Sequence, residues 1–448
     1  MVTKKNREEA QAYVIKTAKE RDVKFVRLWF TDILGMLKNF AIPVEQMEGA
    51  LNDGIGFDGS SIQGFARIDE SDMIAIPDPD TFQLLPWRPQ EHAAVARMFC
   101  DIVKPDREPL EADPRFVLKR NLKRAADMGY TYYVGPELEY FYFKDDKCTE
   151  PLDLGGYFDM TTLDAATDLR RETVLTLEKM GIEVDKSHHE VAPSQHEIDM
   201  RYSDALTMAD NVMTYRLVVK QIASKYGVYA TFMPKPVFGI NGSGMHVHQS
   251  LFKNERNAFF DKNGKHNLSK IALSFVAGLL KYAPEFTAVT SQWVNSYKRL
   301  VPGYEAPVYL SWAERNRSDL IRVPQYEIGK ENATRFEIRS PDPACNPYLC
   351  FSVLLAAGLQ GIEEGLEPPE PTTENVYHMS DAERKKRGIG TLPASLGEAI
   401  QLAEQSKLVR KALGDQTLDA FIKNKKMEWD NYRVQVSEYE IKKFLPIL

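Results

Sequence analysis

Glu137-Leu-Glu139, Glu197-Ile-Asp199-Met-Arg201, His246-Val-His248-Gln-Ser250 and Arg335-Phe-Glu337-Ile-Arg339 each place a charged, imidazole or hydroxyl side chain at every second position. Side chains alternate between the two faces of a strand. Each segment therefore gathers its polar groups on one side and leaves mainly Leu, Ile, Met, Val and Phe for a buried opposite side. One such segment alone reads as an ordinary solvated sheet face. Four of them predict a polar cavity walled by a sheet. Carboxylates that converge in a cavity repel one another unless cations neutralise them. Divalent metal is the first expectation, and an anionic substrate bridged by metal is the second.

The rest of the chain sets bounds on that cavity. Its 448 residues suffice for two or three domains, and 43% hydrophobic with 27% charged residues is ordinary for a globular protein. A net charge of -7 without a compensating basic tract excludes a general nucleic-acid binder. The densest basic run, Arg384-Lys-Lys-Arg387, follows Asp381 and Glu383 and reads as a solvated helix end. The four cysteines match no zinc spacing and are too few for a disulfide scaffold, so a reducing compartment is expected. No apolar stretch follows Lys4, Lys5 and Arg7, and the longest apolar run, 271–280, is too short for a membrane span. These features predict a cytoplasmic protein with no membrane partner.

Periodicity divides the chain after about residue 105. A helix over 7–21, strands over 24–30 and 36–42, a short helix over 44–52, a loop-rich stretch over 53–89 and a strand over 93–102 form a small α+β unit, 1–105. Pro105, Pro109 and Pro114 mark the boundary. Beyond it, in 106–448, helices are predicted over 115–128, 167–179, 203–226, 269–280, 396–404 and 416–433, alternating with strands. The strand that carries Glu137 and Glu139 is expected to begin at Gly135-Pro136, where the chain is stiff.

Five glutamates (Glu137, Glu139, Glu190, Glu197, Glu337) and one imidazole, His246, make a donor set suited to Mg²⁺ or Mn²⁺ rather than zinc. Paired divalent ions fit phosphoryl transfer, where they clamp the transferring group. Arg299, Arg317, Arg322, Arg335 and Arg339 supply charge for phosphate or carboxylate. The chain has no phosphate-binding loop of the G-x-x-x-x-G-K-[ST] type. A nucleotide would have to be held through metals and arginines. Asn241-Gly-Ser-Gly244 reads equally as a ligand loop or a plain turn.

In series, Phe57-Asp-Gly-Ser-Ser-Ile62, Gly135-Pro-Glu-Leu-Glu139, the block 190–197, Asn241-Gly-Ser-Gly-Met-His246, Arg299-Leu-Val-Pro-Gly-Tyr-Glu-Ala-Pro307, Asn316-Arg-Ser318 and Arg335-Phe-Glu-Ile-Arg-Ser-Pro-Asp-Pro343 resemble type I glutamine synthetase over essentially the whole chain. The resemblance implies an α+β protein: an N-terminal β-grasp domain plus a catalytic α/β domain whose curved antiparallel sheet forms a funnel-shaped active site. It implies ATP-dependent ligation of ammonium to L-glutamate through γ-glutamyl phosphate. It further implies a homo-dodecamer of two stacked hexamers with active sites between neighbouring subunits.

Residue by residue, the resemblance assigns one metal to Glu139, Glu190 and Glu197 and another to Glu137, His246 and Glu337. Arg299, Arg339, Asn241 and Gly242 would bind glutamate. Arg317, Arg322 and Arg335 would meet phosphate, and Tyr202, His248 and Ser250 the nucleotide. Asp58 would reach the next subunit's funnel as the base, and Glu305 would sit on a flap that shields the intermediate. The short interval from Glu139 to Glu190 lacks the insertion of the adenylylated branch. That points to control by glutamine feedback through Arg67 and by a nitrogen-regulatory partner protein. A dicarboxylate effector held by Arg88, Arg170 and Arg171 is a further expectation. The apolar tail 439–448 is read as a strap buried in a partner ring.

Overall fold

The computed structural model describes residues 4–64, 72–88, 92–147, 150–304, 306–314, 316–325 and 329–448. The amino-terminal unit opens with a helix, Lys4–Glu20, followed by β1 (Val23–Thr31), β2 (Leu37–Pro43), a helix at Met47–Asp53, β3 (Ile55–Asp58), β4 (Asp72–Pro77), β5 (Gln83–Leu84) and β6 (Ala94–Val103). The strands form one sheet in the order β2-β1-β6-β4-β3, with β5 on β6. The helix Lys4–Glu20 buries Val14 and Ala18 in a core with Val26, Leu28 and Met98. The stretch expected to be loop contains three strands, β3, β4 and β5. Gly54, Gly56 and Gly59 dilute the alternation of β3, and its pairing comes from β4, itself paired to β6. Asp58 is the last residue of β3.

The second unit is built on one ten-stranded sheet. In chain order its strands are β7 (Thr131–Phe143), β8 (Val184–His189), β9 (Gln195–Met200), β10 (Ser203–Asp204), β11 (Tyr229–Thr231), β12 (Met245–Lys253), β13 (Arg256–Asn257), β14 (Trp312–Ala313), β15 (Ile321–Arg322) and β16 (Phe336–Ile338). Its path runs β14-β15-β16-β12-β7-β9-β8, with β10 and β11 on β7 and β13 on β12. All pairings are antiparallel except β14 with β15, so the sheet is mixed at that edge.

β7 begins four residues before the expected Gly135-Pro136 start and runs through the proline. The N–H of Glu139 points toward β12, bonding Gly244 O at 3.1 Å, while the N–H of Tyr142 points the other way, bonding Ser194 O. Even-numbered residues therefore aim their N–H away from β12. On that side the partner changes between Val134, paired to Ser203, and Glu137, paired to Asp199. Pro136, which has no N–H, falls in the gap and breaks no ladder bond.

Behind the sheet lie the helices Pro114–Asp127, Thr167–Lys179, Ala205–Lys225, Lys270–Thr290 and Pro347–Glu364. The helix expected to end near residue 280 continues past Pro284, because Ala283, Phe286, Ala288 and Val289 are all buried. Its partner Pro347–Glu364 was not foreseen from periodicity, since it is buried nearly all round and shows no polar stripe. The two cross closely. A Cβ on Gly278 would meet Ala357 O at 2.2 Å, and one on Gly361 would meet Ser274 O at 2.1 Å. None of the described helices is long and apolar enough to cross a membrane. The last helix, Glu438–Phe444, starts from a capping box between Ser437 and Glu440, yet Leu445, Ile447 and Leu448 beyond it are exposed on this chain.

Candidate active site

Register assembles the site. His248 faces Glu337 across β12 and β16. His246 faces Glu137, which faces Asp199, which faces Lys186. Glu139 faces Glu197, which faces His188. The polar groups of five adjacent strands thus occupy one face in three rows. On the reverse face Leu138, Ile198, Val247, Phe336 and Ile338 are wholly buried. Each of these contributes on the order of 1.5–3 kcal/mol to holding the register. A one-residue slip would exchange the two faces.

One end of this face is crowded with carboxylates. Glu139 accepts from the Gly244 N–H at 2.9 Å and from Gln195 Nε2 at 2.8 Å. Glu190 accepts from the Val191 N–H at 2.9 Å. His188 Nε2 lies 3.3 Å from Glu197 Oε1 and His188 Nδ1 3.6 Å from Glu190 Oε1. Burial and the neighbouring Glu197 push Glu139 up to about 8. Burial and the other two push Glu190 up to about 8, and burial with Glu137 does the same to Glu197. Such a cluster is short of positive charge. Oxygen donors with imidazole beside them fit a hard divalent cation.

The other end is neutralised by the chain itself. Arg322 grips Glu337 with Nε at 2.8 Å and Nη2 at 2.9 Å, Arg339 Nη1 adds a bond at 2.6 Å, and His248 Nε2 lies at 3.1 Å. Against burial, which raises it, His248 and the two guanidiniums hold Glu337 well below the usual carboxylate range. Against its own burial, Glu137 is also held low, by the His248 and His246 rings that hydrogen-bond it. Burial and Arg339 push the His246 imidazole down to about 4, leaving it neutral and able to ligate. It is His248, at 3.0 Å from Glu137 and 3.1 Å from Glu337, that sits between those carboxylates. His246 lies 3.4 Å from Glu137 and 4.0 Å from Glu139.

The face floors a bowl with two lobes. One, about 280 Å³, is lined by Glu139, Glu190, Glu197, His246, Asn241, Gly242, Arg299, Arg317, Arg322 and Arg339 among others. Arg299 is buried there and donates to the carbonyls of Ser340, Pro341 and Arg339 at 2.8, 3.2 and 3.0 Å. A Cβ on Gly244 would meet Arg299 Nη2 at 2.5 Å, so only glycine admits this guanidinium. Arg339 Nε is buried and unpaired, a donor without a protein acceptor. The second lobe, about 300 Å³, is lined by Tyr202, His248, Ser250 and Arg335. Arg335 Nε donates to His248 Nδ1 at 3.2 Å.

Asp58 is exposed on the amino-terminal sheet, accepts from the Ser60 N–H at 2.9 Å, and is not among the lining residues of its own chain's bowl. Glu305 and Arg67 lie outside the described residues. Arg170, expected at an effector site, is buried in a two-pronged ion pair with Asp164 at 3.0 and 2.6 Å, which removes it from such a role. His188 and Gln195 were not read from the sequence. The available signal was that His188 and Glu190 stand two apart, in strand spacing, beside the quoted block.

Residues 22–105 match the glutamine synthetase β-grasp domain and 111–444 the glutamine synthetase catalytic domain. A glutamine synthetase of Methanosarcina mazei is 54% identical over 439 residues, covering 97% of each chain. One from Mycolicibacterium smegmatis is 53% identical over 440 residues, covering 97% of this chain and 99% of the relative. Among solved structures, a GmaS/ADP complex superposes with a TM-score of 0.88 at 31% identity, covering 97% of this chain and 99% of that one. Plasmodium falciparum glutamine synthetase superposes with a TM-score of 0.87 at 26% identity, covering 98% of both.

Proposed function

The chain belongs to the glutamine synthetase family, and from that premise we propose how its own side chains divide the work. The reaction is ATP-dependent ligation of ammonia to L-glutamate, giving L-glutamine, ADP and phosphate through γ-glutamyl phosphate, with divalent metal. The observation that carries this reading is the converging Glu139, Glu190 and Glu197 cluster, short of positive charge, beside an arginine-lined lobe.

Glu139, Glu190 and Glu197 hold one Mg²⁺ or Mn²⁺, and Glu137, His246 and Glu337 a second. When bound, the ions neutralise the carboxylates and the oxygens of the transferring phosphoryl group. Arg339, through its unpaired Nε, and Arg299 with Asn241 and Gly242 hold the carboxylate and amine of glutamate. Arg317, Arg322 and Arg335 take phosphate, and Tyr202, His248 and Ser250 the nucleoside end. Glu305 closes the bowl against water, which protects the acyl phosphate. Asp58 takes the proton from ammonium in the bowl of a neighbouring subunit. Its exposure on a sheet outside its own bowl supports that division.

The domain division at 105/106, the dodecamer of two stacked hexamers, the cytoplasmic location, glutamine feedback through Arg67 and a nitrogen-regulatory partner protein belong to the same proposal. The exposed Leu445, Ile447 and Leu448 support a buried strap between subunits. An assay with ATP, glutamate, Mg²⁺ and a panel of amines tests the reading. Phosphate release with ammonium and formation of glutamine are expected. Release only with other amines would reassign the nucleophile, and release with none would refute the enzyme reading.

A further inference from the structure

Lys186 stands on β8 two residues before His188 and four before Glu190, on the same polar face. Across the ladder it faces Asp199. Its ammonium forms an ion pair with Asp199 Oδ2, while Asp199 Oδ1 is buried without a partner. The carboxylates of Glu137, Glu197 and Asp199 lie within 4.8 Å of one another. Yet the lysine side chain remains 52% exposed, whereas that of Asp199 is 7% exposed. Its charge is therefore presented to the open bowl.

The two lobes share two of their described lining residues, Glu137 and Lys186. Whatever spans from one lobe to the other crosses this seam. The arginines near the seam that are assigned to phosphate also hold protein partners, so the charge at the seam is not theirs alone. Arg322 is bidentate on Glu337, and Arg335 donates to His248 and to the Ala333 carbonyl. Among the described residues Lys186 pairs with Asp199 alone, its stem is flexible, and an ammonium serves phosphate as a compact point charge.

We propose that Lys186 is a phosphate-binding residue for the nucleotide: its ammonium bridges Asp199 and the polyphosphate chain where it passes from the second lobe into the first. The inference rests on the nucleotide reading of the second lobe. It adds a contact that none of the expected phosphate residues supplies.

The test compares the parent with Lys186→Met, Lys186→Arg and the double variant Lys186→Met/Asp199→Asn. Calorimetry follows ADP binding in Mg²⁺, and steady-state assays give KM for ATP and for glutamate. Lys186→Met is expected to weaken ADP and raise KM for ATP about five- to tenfold. KM for glutamate should stay within about twofold, and Lys186→Arg should recover most of the loss. Unchanged ADP affinity in Lys186→Met would overturn the proposal. Full recovery in the double variant would overturn it too, because Lys186 would then be only the counter-ion of Asp199. A parent that binds ADP but forms no glutamine would remove the reaction assigned above, while the ADP titration would still decide the role of Lys186.

Discussion

At one end of the polar face Glu139, Glu190 and Glu197 confront one another, and all three carboxyls are pushed up to about 8. At the other end, two residues back along β7 and across β12 to β16, Glu137 and Glu337 confront two histidines and two arginines and are held low. Both ends stand on the same apolar backing, and neither is fully open to solvent. The difference lies in who supplies the cation. One end carries its counter-charge in the chain and is organised before any ligand arrives. The other leaves the charge to be brought, so its electrostatics depend on what binds.

Removing one carboxylate from each end should separate these cases most sharply. Glu197→Ala is expected to lower glutamine formation by at least on the order of a hundredfold. The same substitution should raise the melting temperature of the metal-free protein, because it relieves repulsion. Glu337→Ala should do the opposite to stability. It leaves Arg322, Arg339 and His248 facing one another around a hole, at a cost of about 3 kcal/mol or more, read by denaturant unfolding without metal. Equal and same-signed stability changes in the two variants would break the contrast.

Arg339→Met comes next. Because its Nε is a buried donor left unpaired in the bowl, the variant is expected to raise KM for glutamate about tenfold or more, with KM for ATP changing less.

A pH titration of the metal-free protein gives a smaller signal with a definite sign. The three raised carboxyls contribute stability that is full below the ordinary 4.5 and is lost as pH rises through about 8. His246, lowered from 6.5 to about 4, works oppositely, and its gain is complete above 6.5. Stability should therefore fall between about pH 6.5 and 8. Saturating Mg²⁺ should flatten most of that fall. Asp113, buried away from the bowl and pushed up to about 7, keeps its own share. A metal-free profile that rises over this window would contradict the crowded end. The smallest effect is expected at Tyr202, which is exposed and edge-on to Tyr133 at 6.0 Å. Tyr202→Ala should raise KM for ATP only a few-fold through lost base stacking, measured in the same assay.

The strand faces were legible because two-residue periodicity is strictly geometric. Once Glu137, Glu197, His246 and Glu337 are placed on strands, their sharing of one side follows without tertiary information. The order of those strands was not legible, nor which imidazole would stand between Glu137 and Glu337, since cross-strand register is a long-range property. The helix Pro347–Glu364 escaped for the opposite reason, as total burial erases the stripe that betrays a helix. β3 escaped because Gly54, Gly56 and Gly59 weaken local propensity, and its support comes through β4 from β6, which the sequence of that stretch does not show. The resemblance to a known family located Arg299 and Arg339 in function. Their mutual arrangement, one bound to carbonyls and one with a bare Nε, came only with the fold.

β7 is paired along both edges, with β12 and β11 on one side and β9 and β10 on the other. A strand so held cannot absorb a change of length. One inserted residue within it would drive Glu137 and Glu139 into the apolar layer and lift Leu138 into the bowl. The innovations open to this architecture therefore lie in its connections, such as the segment between Glu139 and Glu190, which can lengthen or shorten while the strands stay in step. The rows of side chains on the strands tolerate no frameshift, whereas the spans that join them can change in length without disturbing those rows.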